Sequence, residues 1–391
     1  MRAPLYLAAL LCACGSILPD GSYVGNAFPE GGVDASSDTG SPRGRREQCN
    51  GIDDDLDGRI DEGCPIRLTT DSRHDSLASL SGMRLAWIRF EPGAYVGDLM
   101  VRDLPAGVER KVASNASAPS VSGNRIAFWR SDHIVILDLT TSEETTLDHP
   151  DAQYVLGPWL DGDRVTWSQM QSGTEEDYEV FVYELVTKQR YVVGAHDTIQ
   201  EYPLLRGNTL VWNDDRLGHH TVGLLHLYDV FRADLTTGRP ANVTQVTHRN
   251  GELTYNFIAA LDGDRVAITE TRGPLLGSYQ PRPCIPVVID LQTGARTALA
   301  PETRECFNAV ALSGNRAVLE FDSLGVSDLY LVDVRTGARQ QITNNPRRST
   351  RARLDGNLLV WQDDRNDTWD LYMMDLTDAE QGDLYPEGIA P

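Results

Sequence analysis

Leu354-Asp-Gly-Asn-Leu-Leu-Val-Trp-Gln-Asp-Asp-Arg-Asn-Asp-Thr-Trp-Asp-Leu-Tyr-Met-Met-Asp-Leu376 is the stretch that decides the fold. Gly356-Asn357 marks a tight turn, because glycine supplies the positive φ that a two-residue hairpin needs. An apolar run, Leu358 to Trp361, follows as a buried strand. A polar loop, Gln362 to Thr368, separates it from a second apolar strand, Leu371 to Met374, which ends at Asp375-Leu376. Short apolar runs bounded by turn residues, with no 3.6-residue period, read as β-structure.

Copies of this unit fill the chain from residue 71 onward. The turn and first run recur as Gly82-Met-Arg-Leu-Ala-Trp87, Gly123-Asn-Arg-Ile-Ala-Phe128, Gly162-Asp-Arg-Val-Thr-Trp167, Gly207-Asn-Thr-Leu-Val-Trp212, Gly263-Asp-Arg-Val-Ala-Ile268 and Gly314-Asn-Arg-Ala-Val-Leu319. Successive turn glycines lie 41, 39, 45, 56, 51 and 42 residues apart. The second strand recurs as Leu99 to Leu104, Ile134 to Leu139, Phe181 to Leu185, Val230 to Leu235, Val287 to Leu291 and Leu329 to Val334. Turns such as Thr236-Thr-Gly238, Gln292-Thr-Gly294 and Arg335-Thr-Gly337 then lead to a short outer strand. A period in the forties with four strands per unit is that of propeller blades, so the expected fold is all-β, a seven-bladed β-propeller over residues 65–380. The tryptophans at 87, 167, 212 and 361 align with one another and read as blade core. After Leu376 the seventh unit has no outer strand, and Ile66-Arg-Leu-Thr-Thr70 matches the missing piece. The reading is a ring closed by this N-terminal strand, which leaves no free sheet edge.

Trp361-Gln-Asp-Asp-Arg-Asn-Asp-Thr-Trp-Asp-Leu-Tyr-Met-Met-Asp-Leu376 and Trp212-Asn-Asp-Asp-Arg216 resemble the TolB-like, WD40-like propeller repeats of bacterial periplasmic and archaeal cell-surface proteins. The resemblance covers roughly residues 66 to 380, with seven units where TolB has six blades. It implies an exported propeller.

The N-terminus agrees on the address. Met1-Arg2 and the apolar run Leu5 to Ala13 have the order of a secretory signal and are too short to span a bilayer. Leu11-Cys12-Ala13-Cys14-Gly15-Ser16 resembles the bacterial lipobox. The resemblance implies residues 1–13 as a signal peptide and Cys14 as a diacylated N-terminus, at the outer membrane or cell surface because no Asp follows the cysteine. An ordinary cleaved signal is the alternative. Residues 14–48, rich in Gly, Ser, Pro and Asp, read as a disordered tether.

Residues 49–64, Cys49-Asn-Gly-Ile-Asp-Asp-Asp-Leu-Asp-Gly-Arg-Ile-Asp-Glu-Gly-Cys64, form an acidic segment between two cysteines. Asp53, Asp55 and Asp57 stand at alternate positions before Gly58, as in the first half of an EF-hand loop, with Arg59 at the seventh position and Asp61 at the ninth. Cys64 stands where the bidentate Glu belongs, and Glu62 or Asp61 is the substitute. The segment resembles the C-N-G-x-D-D-D-x-D-G-x-x-D-E metal-binding motif of secreted bacterial proteins, and its hard oxygen ligands favour Ca²⁺. With Cys12 in the signal and Cys14 lipidated, four cysteines remain, and the nearest neighbours in sequence pair as Cys49–Cys64 and Cys284–Cys306. No Cys-x-x-Cys spacing suggests a thiol zinc site.

Short turns occupy one face of such a ring and the variable connections the other. The candidate binding face is the long-loop one, with Asp214, Asp215, Arg216, His219 and His220 in one loop and Asp363, Asp364 and Arg365 in another. The Asp and Arg groups read first as pairs that brace neighbouring loops; binding of a cation or a sugar is the alternative. His219 and His220, adjacent and so pointing apart, read as an exposed pair. The net charge of −22 excludes a nucleic-acid partner, which needs clustered Lys and Arg. The functional expectation is a monomeric lipoprotein, touching the membrane only through its anchor, whose propeller binds protein or carbohydrate. A propeller-type polysaccharide lyase or hydrolase and a structural calcium-stabilised module are the alternatives. An enzyme would need first-strand residues such as His74, Tyr154, His196, Tyr202 and Asn308 to converge.

Overall fold

In a computed structural model the described residues are 64–147, 152–171, 178–193, 198–216, 228–247, 254–272, 284–301, 307–323 and 325–377. They contain strands and turns and no helix. The chain begins with β1 (Ile66–Arg67) and a seven-stranded sheet in sequential order: β2 (His74–Ser81), β3 (Arg84–Phe90), β4 (Gly97–Asp103), β5 (Arg110–Ser122), β6 (Arg125–Arg130), β7 (His133–Asp138) and β8 (Glu144–Leu147). The 13-residue β5 serves two meanders, since Arg110 to Ala116 pairs with β4 and Ser117 to Ser122 pairs with β6. Four-stranded meanders follow. The first two are β9 (Ala152–Asp161), β10 (Arg164–Gln171), β11 (Tyr178–Glu184), β12 (Gln189–Val193), then β13 (Gln200–Arg206), β14 (Thr209–Asp214), β15 (Asp229–Asp234), β16 (Ala241–Gln245). The next two are β17 (Thr254–Asp262), β18 (Arg265–Arg272), β19 (Cys284–Asp290), β20 (Arg296–Ala298), and β21 (Phe307–Ser313), β22 (Arg316–Ser323), β23 (Val326–Asp333), β24 (Arg339–Gln341). The last sheet has the order β1-β27-β26-β25, from β25 (Ser349–Asp355), β26 (Leu358–Asp363) and β27 (Asp370–Asp375). This is a β-propeller architecture: antiparallel meanders stacked face to face around their first strands.

The second strand of each meander is apolar on both faces because both are covered. β26 is buried at every position, and β3 at all but its ends. Trp87, Trp167, Trp212 and Trp361 have no exposed surface. Three of them stack on the residue opposite in the third strand, at ring separations of 5.5 Å (Phe181), 6.1 Å (Phe231) and 5.9 Å (Tyr372). Outer strands are thinly covered; all of β20 is exposed. The core is divided into clusters, each between consecutive meanders. One cluster joins Leu85, Trp87 and Met100 of the first sheet to Val360, Leu371 and Met373 of the last. In the same place Ile66 and Arg67 pair with Met373 and Tyr372, Leu68 N–H donates to Leu371 O at 2.7 Å, and Leu371 N–H donates to Thr69 Oγ1 at 2.9 Å.

Three devices repeat around the sheets. The turn glycines all have φ between 55° and 59° while the residue after each does not, the pattern of a type II′ hairpin. The residue before each turn glycine then caps the turn of the next meander. Ser122 Oγ accepts from Gly162 N–H at 2.9 Å, Asp161 from Gly207 at 2.6 Å, Asp262 from Gly314 at 2.8 Å and Ser313 from Gly356 at 3.0 Å. Ser81 accepts from Gly123 more distantly, at 3.4 Å, and Asp355 of the last meander accepts from Gly82 of the first, at 2.6 Å. Arg206 stands in this column before Gly263 and has no acceptor to offer. The arginine after the turn makes a second link, as Arg84 donates to Asn124 at 2.5 Å, Arg164 to Asn208 at 2.7 Å and Arg316 to Asn357 at 2.5 Å. The short-turn face is therefore knit from sheet to sheet.

Candidate functional site

Every first strand carries a register shift against its second strand, between Ser76/Ser79, Ser117/Ser120, Glu201/Leu204, Ile258/Ala260, Ala309/Ala311 and Thr350/Arg353, and opposite Thr166/Ser168. Leu77, Ala118, Tyr202 and Arg351 sit in these bulges with φ of 46–54°, a left-handed conformation that side chains seldom adopt. A bulge leaves ladder groups unpaired, and the residue after the core tryptophan of the preceding meander, or after the aliphatic residue at its place (Ile268, Leu319), serves them. Asn213 Oδ1 accepts from Ile258 N–H at 3.2 Å, Thr269 Oγ1 from Ala309 N–H at 3.0 Å, and Glu320 Oε2 from Arg351 N–H at 3.2 Å. Across the junction of last and first sheets, Ser76 Oγ donates to Gln362 Oε1 at 2.5 Å. The trace of this column in the sequence is a polar residue five after the one following each turn glycine of the later units: Asn213, Thr269, Glu320 and Gln362.

The two Asp-Asp-Arg motifs turn out alike. Asp214 and Asp363 have no exposed surface. Asp363 accepts from Arg365 N–H at 3.0 Å, Nε at 2.8 Å and Nη2 at 2.6 Å, from Ser349 Oγ at 2.8 Å and from the Trp361 indole at 3.3 Å. Asp214 accepts from Arg216 N–H and Nε at 2.9 Å each, and from the Trp212 indole at 2.9 Å. Burial opposes ionisation of Asp363, yet the donors from Arg365 and Ser349 outweigh it and hold the carboxyl below its usual range. Each arginine places its guanidinium carbon over the third-strand aromatic, Arg216 at 4.3 Å from Phe231 and Arg365 at 4.4 Å from Tyr372. The second aspartates tie the loop to the first strand: Asp215 accepts from Ile199 N–H and Asp364 from Arg348 N–H, both at 2.8 Å. These groups cap the blade core and brace its loops. The first meander does the same with other residues, since Trp87 and Arg89 both donate to Asp75, at 2.7 and 2.8 Å.

Of the other candidates, His74 Nδ1 accepts from Trp369 N–H at 3.1 Å, and Tyr202 packs on Phe257 at 5.1 Å. Tyr154 and Asn308 lie in β9 and β21, on different sheets. His196, His219 and His220 lie outside the described residues, as do Cys14 and the acidic segment with Asp53, Asp55, Asp57, Arg59, Asp61 and Glu62. Among the described residues no group of three or more His, Cys, Asp or Glu is placed to hold a metal. Cys64 and Cys284 are both disulfide-bonded; their expected partners, Cys49 and Cys306, are outside the described residues. Among the described residues no helix is long and apolar enough to cross a membrane.

No protein-family model matches this sequence, and none of the curated proteins compared with it does. Solved structures do. The β-propeller domain of the Trilobed protease from Pyrococcus furiosus, described as having an open velcro topology, superposes with TM-score 0.60 at 13% identity, covering 78% of this chain and 95% of that one. Oligogalacturonate lyase from Vibrio parahaemolyticus gives 0.59 at 13% identity, covering 81% and 94%. Acylaminoacyl peptidase from Pyrococcus horikoshii gives 0.59 at 14% identity, covering 79% of this chain and 53% of that one. At such identities the likeness is one of fold, the β-propeller.

Proposed function

We propose that this chain is a cell-envelope lipoprotein whose propeller, a seven-bladed ring closed by β1, is a platform that binds protein or carbohydrate through its long-loop face. The observation that carries the reading is the inequality of the two faces. One is consumed by the bonds between consecutive turns, from Ser81–Gly123 round to Asp355–Gly82. The other bears the connections of variable length, which rest on loops already braced by Asp214–Arg216 and Asp363–Arg365. A rigid scaffold with variable loops on one side suits recognition. The seven-bladed count is supported by the recurrence of the bulge in seven first strands, and closure by the pairing of β1 with β27.

The lipid on Cys14 would hold the protein to the membrane, since acyl chains add about 0.8 kcal/mol per buried methylene. Ca²⁺ in the acidic loop would use Asp53, Asp55, Asp57, the Arg59 carbonyl, and Asp61 or Glu62, with Cys49–Cys64 closing the loop. The loop precedes β1 directly, so the ion would steady the ring's closure. The test is a glycan array and a panel of purified envelope proteins, probed with the full chain in calcium and in chelator. Saturable binding lost on shortening the connection from β14 to β15 or from β18 to β19 supports the reading; binding that survives both deletions contradicts it. Palmitate labelling abolished by Cys14→Ala tests the anchor, and a melting temperature indifferent to chelator counts against the calcium.

A further inference from the structure

The register position of Arg353 is occupied by uncharged residues in the other meanders: Ser79, Ser120, Trp159, Leu204, Ala260 and Ala311. There Ser79 and Ser120 reach the next first strand, accepting from Val121 N–H at 3.0 Å and Leu160 N–H at 2.8 Å. The fold thus asks for a small or apolar group at this place, and β25 supplies a guanidinium. Two residues earlier Arg351 occupies the bulge itself, at φ 53°. Arg353 donates to Ala352 O at 3.0 Å. No ion pair joins either guanidinium to a carboxylate among the described residues. The carboxylate that acts on Arg351 from a distance, Glu320, is itself taken up by Thr350 Oγ1 at 2.7 Å and by the Arg351 amide.

Arg206, on the first strand β13, lies 3.6 Å from Asp161 and 3.9 Å from Asp355. It thereby bridges three meanders at the short-turn end of the first strands. Arg353 is two residues above Asp355 and Arg351 two above that, on the side of the long loops. Below, Arg206 is ion-paired with two aspartates; above, β25 carries two arginines that no carboxylate pairs with among the described residues.

We propose that Arg351 and Arg353 form a receptor, inside the ring of first strands, for one oxyanion group of a small ligand entering from the long-loop face. The proposal rests on the closed-ring reading given above. A guanidinium fork matches the two oxygens of a carboxylate or phosphate, and two forks near enough for Arg351 to act on Arg353 suit a single such group. Both side chains are half-buried; desolvation weakens their hold on the proton, and the Arg353 pKa is pushed down to about 10 by desolvation and by Arg351. An unpaired charge in such surroundings destabilises the fold, so an anion that supplies the missing pair stabilises it.

The test uses the full chain, with calorimetric titration and thermal melts in succinate, in inorganic phosphate, in neutral succinamide, and in sodium chloride at matched ionic strength. The expected result is one-site binding of succinate or phosphate, each raising the melting temperature, with no effect of succinamide or chloride; the stronger of the two identifies the oxyanion. Arg353→Gln and Arg351→Gln should each weaken binding by about tenfold or more. Arg353→Gln should melt at or above the wild type without anion. Glu320→Gln, which removes the opposing charge, should bind more tightly. A wild type that melts cooperatively yet binds neither oxyanion overturns the proposal and leaves the ring standing. Equal binding by wild type and both arginine variants overturns it as well.

Discussion

Replacing Asp363 by alanine should weaken the last meander sharply. The carboxylate is fully buried and accepts three bonds from Arg365, one from Ser349 and one from the Trp361 indole. Breaking a buried ion pair from one side costs about 3–5 kcal/mol when the remaining charge is stranded. Arg365 keeps 32% exposure and can rehydrate, while the indole and the Arg365 amide cannot as easily. The loss then falls near the lower end, about 3 kcal/mol. At roughly 2 °C per kcal/mol for a large domain, melting followed by circular dichroism should fall by about 6 °C. The pH dependence gives a second check. Because the folded-state pKa of Asp363 is depressed, its contribution is fully present above the unfolded value, about 3.9, and is lost as pH falls through the folded value. The difference between wild type and Asp363→Ala should therefore persist from pH 8 to about pH 5 and shrink below about pH 4. A variant melting within about 1 °C of wild type at pH 7 would show that the motif is not a brace, and would return Asp363 and Arg365 to the candidate binding groups.

Asp214→Ala should repeat this behaviour, since Arg216 and Trp212 use Asp214 in the same way; a melt unlike that of Asp363→Ala would mean the two loops are built differently. Glu320 carries a pKa raised by burial, so its ionisation opposes folding, and stability is lost as pH rises through the folded value. Glu320→Gln keeps an acceptor for Thr350 and the Arg351 amide, and should melt above wild type at pH 8 with the gap closing near pH 4; a gap that widens in acid would reverse the assignment. Asp355→Ala removes the cap on Gly82 of the first meander, and should lower stability by about 1 kcal/mol, with Ser313→Ala no worse. Urea midpoints unchanged in both would make the turn-capping column incidental.

The sequence carried the fold well because its strongest signals are local. Each turn glycine needs positive φ, and each core tryptophan sits five residues after its glycine, so the repeat is visible in one dimension. The match of Ile66 to Thr70 with an outer strand was legible for the same reason, and that segment does lie on β27. What escaped was whatever acts between meanders. The serines and aspartates before the turn glycines, and the arginines after them, read as turn chemistry; their partners are about forty residues away, on the next sheet. The bulges gave no local sign, because Leu77, Tyr202 and Arg351 are not residues that favour left-handed backbone. The charge clusters at 214–216 and 363–365 admitted two readings, loop braces first and a binding site second. Charges two residues apart in a loop can also satisfy each other, and here the aspartate and arginine do so over a buried indole. Arg353 went unnoticed because an arginine in a strand that ends at a turn reads as solvated, and only the register places it between first strands.

The central claim is that the ring is closed by the segment before the first meander. It is tested most directly by deleting residues 65–70 from the full chain and measuring amide exchange along β27 together with thermal unfolding. Closure by β1 predicts that the deletion lowers the melting temperature of the whole domain and exposes Leu371 N–H, now bonded to Thr69, to rapid exchange. Unchanged melting with Leu371 still protected would contradict it.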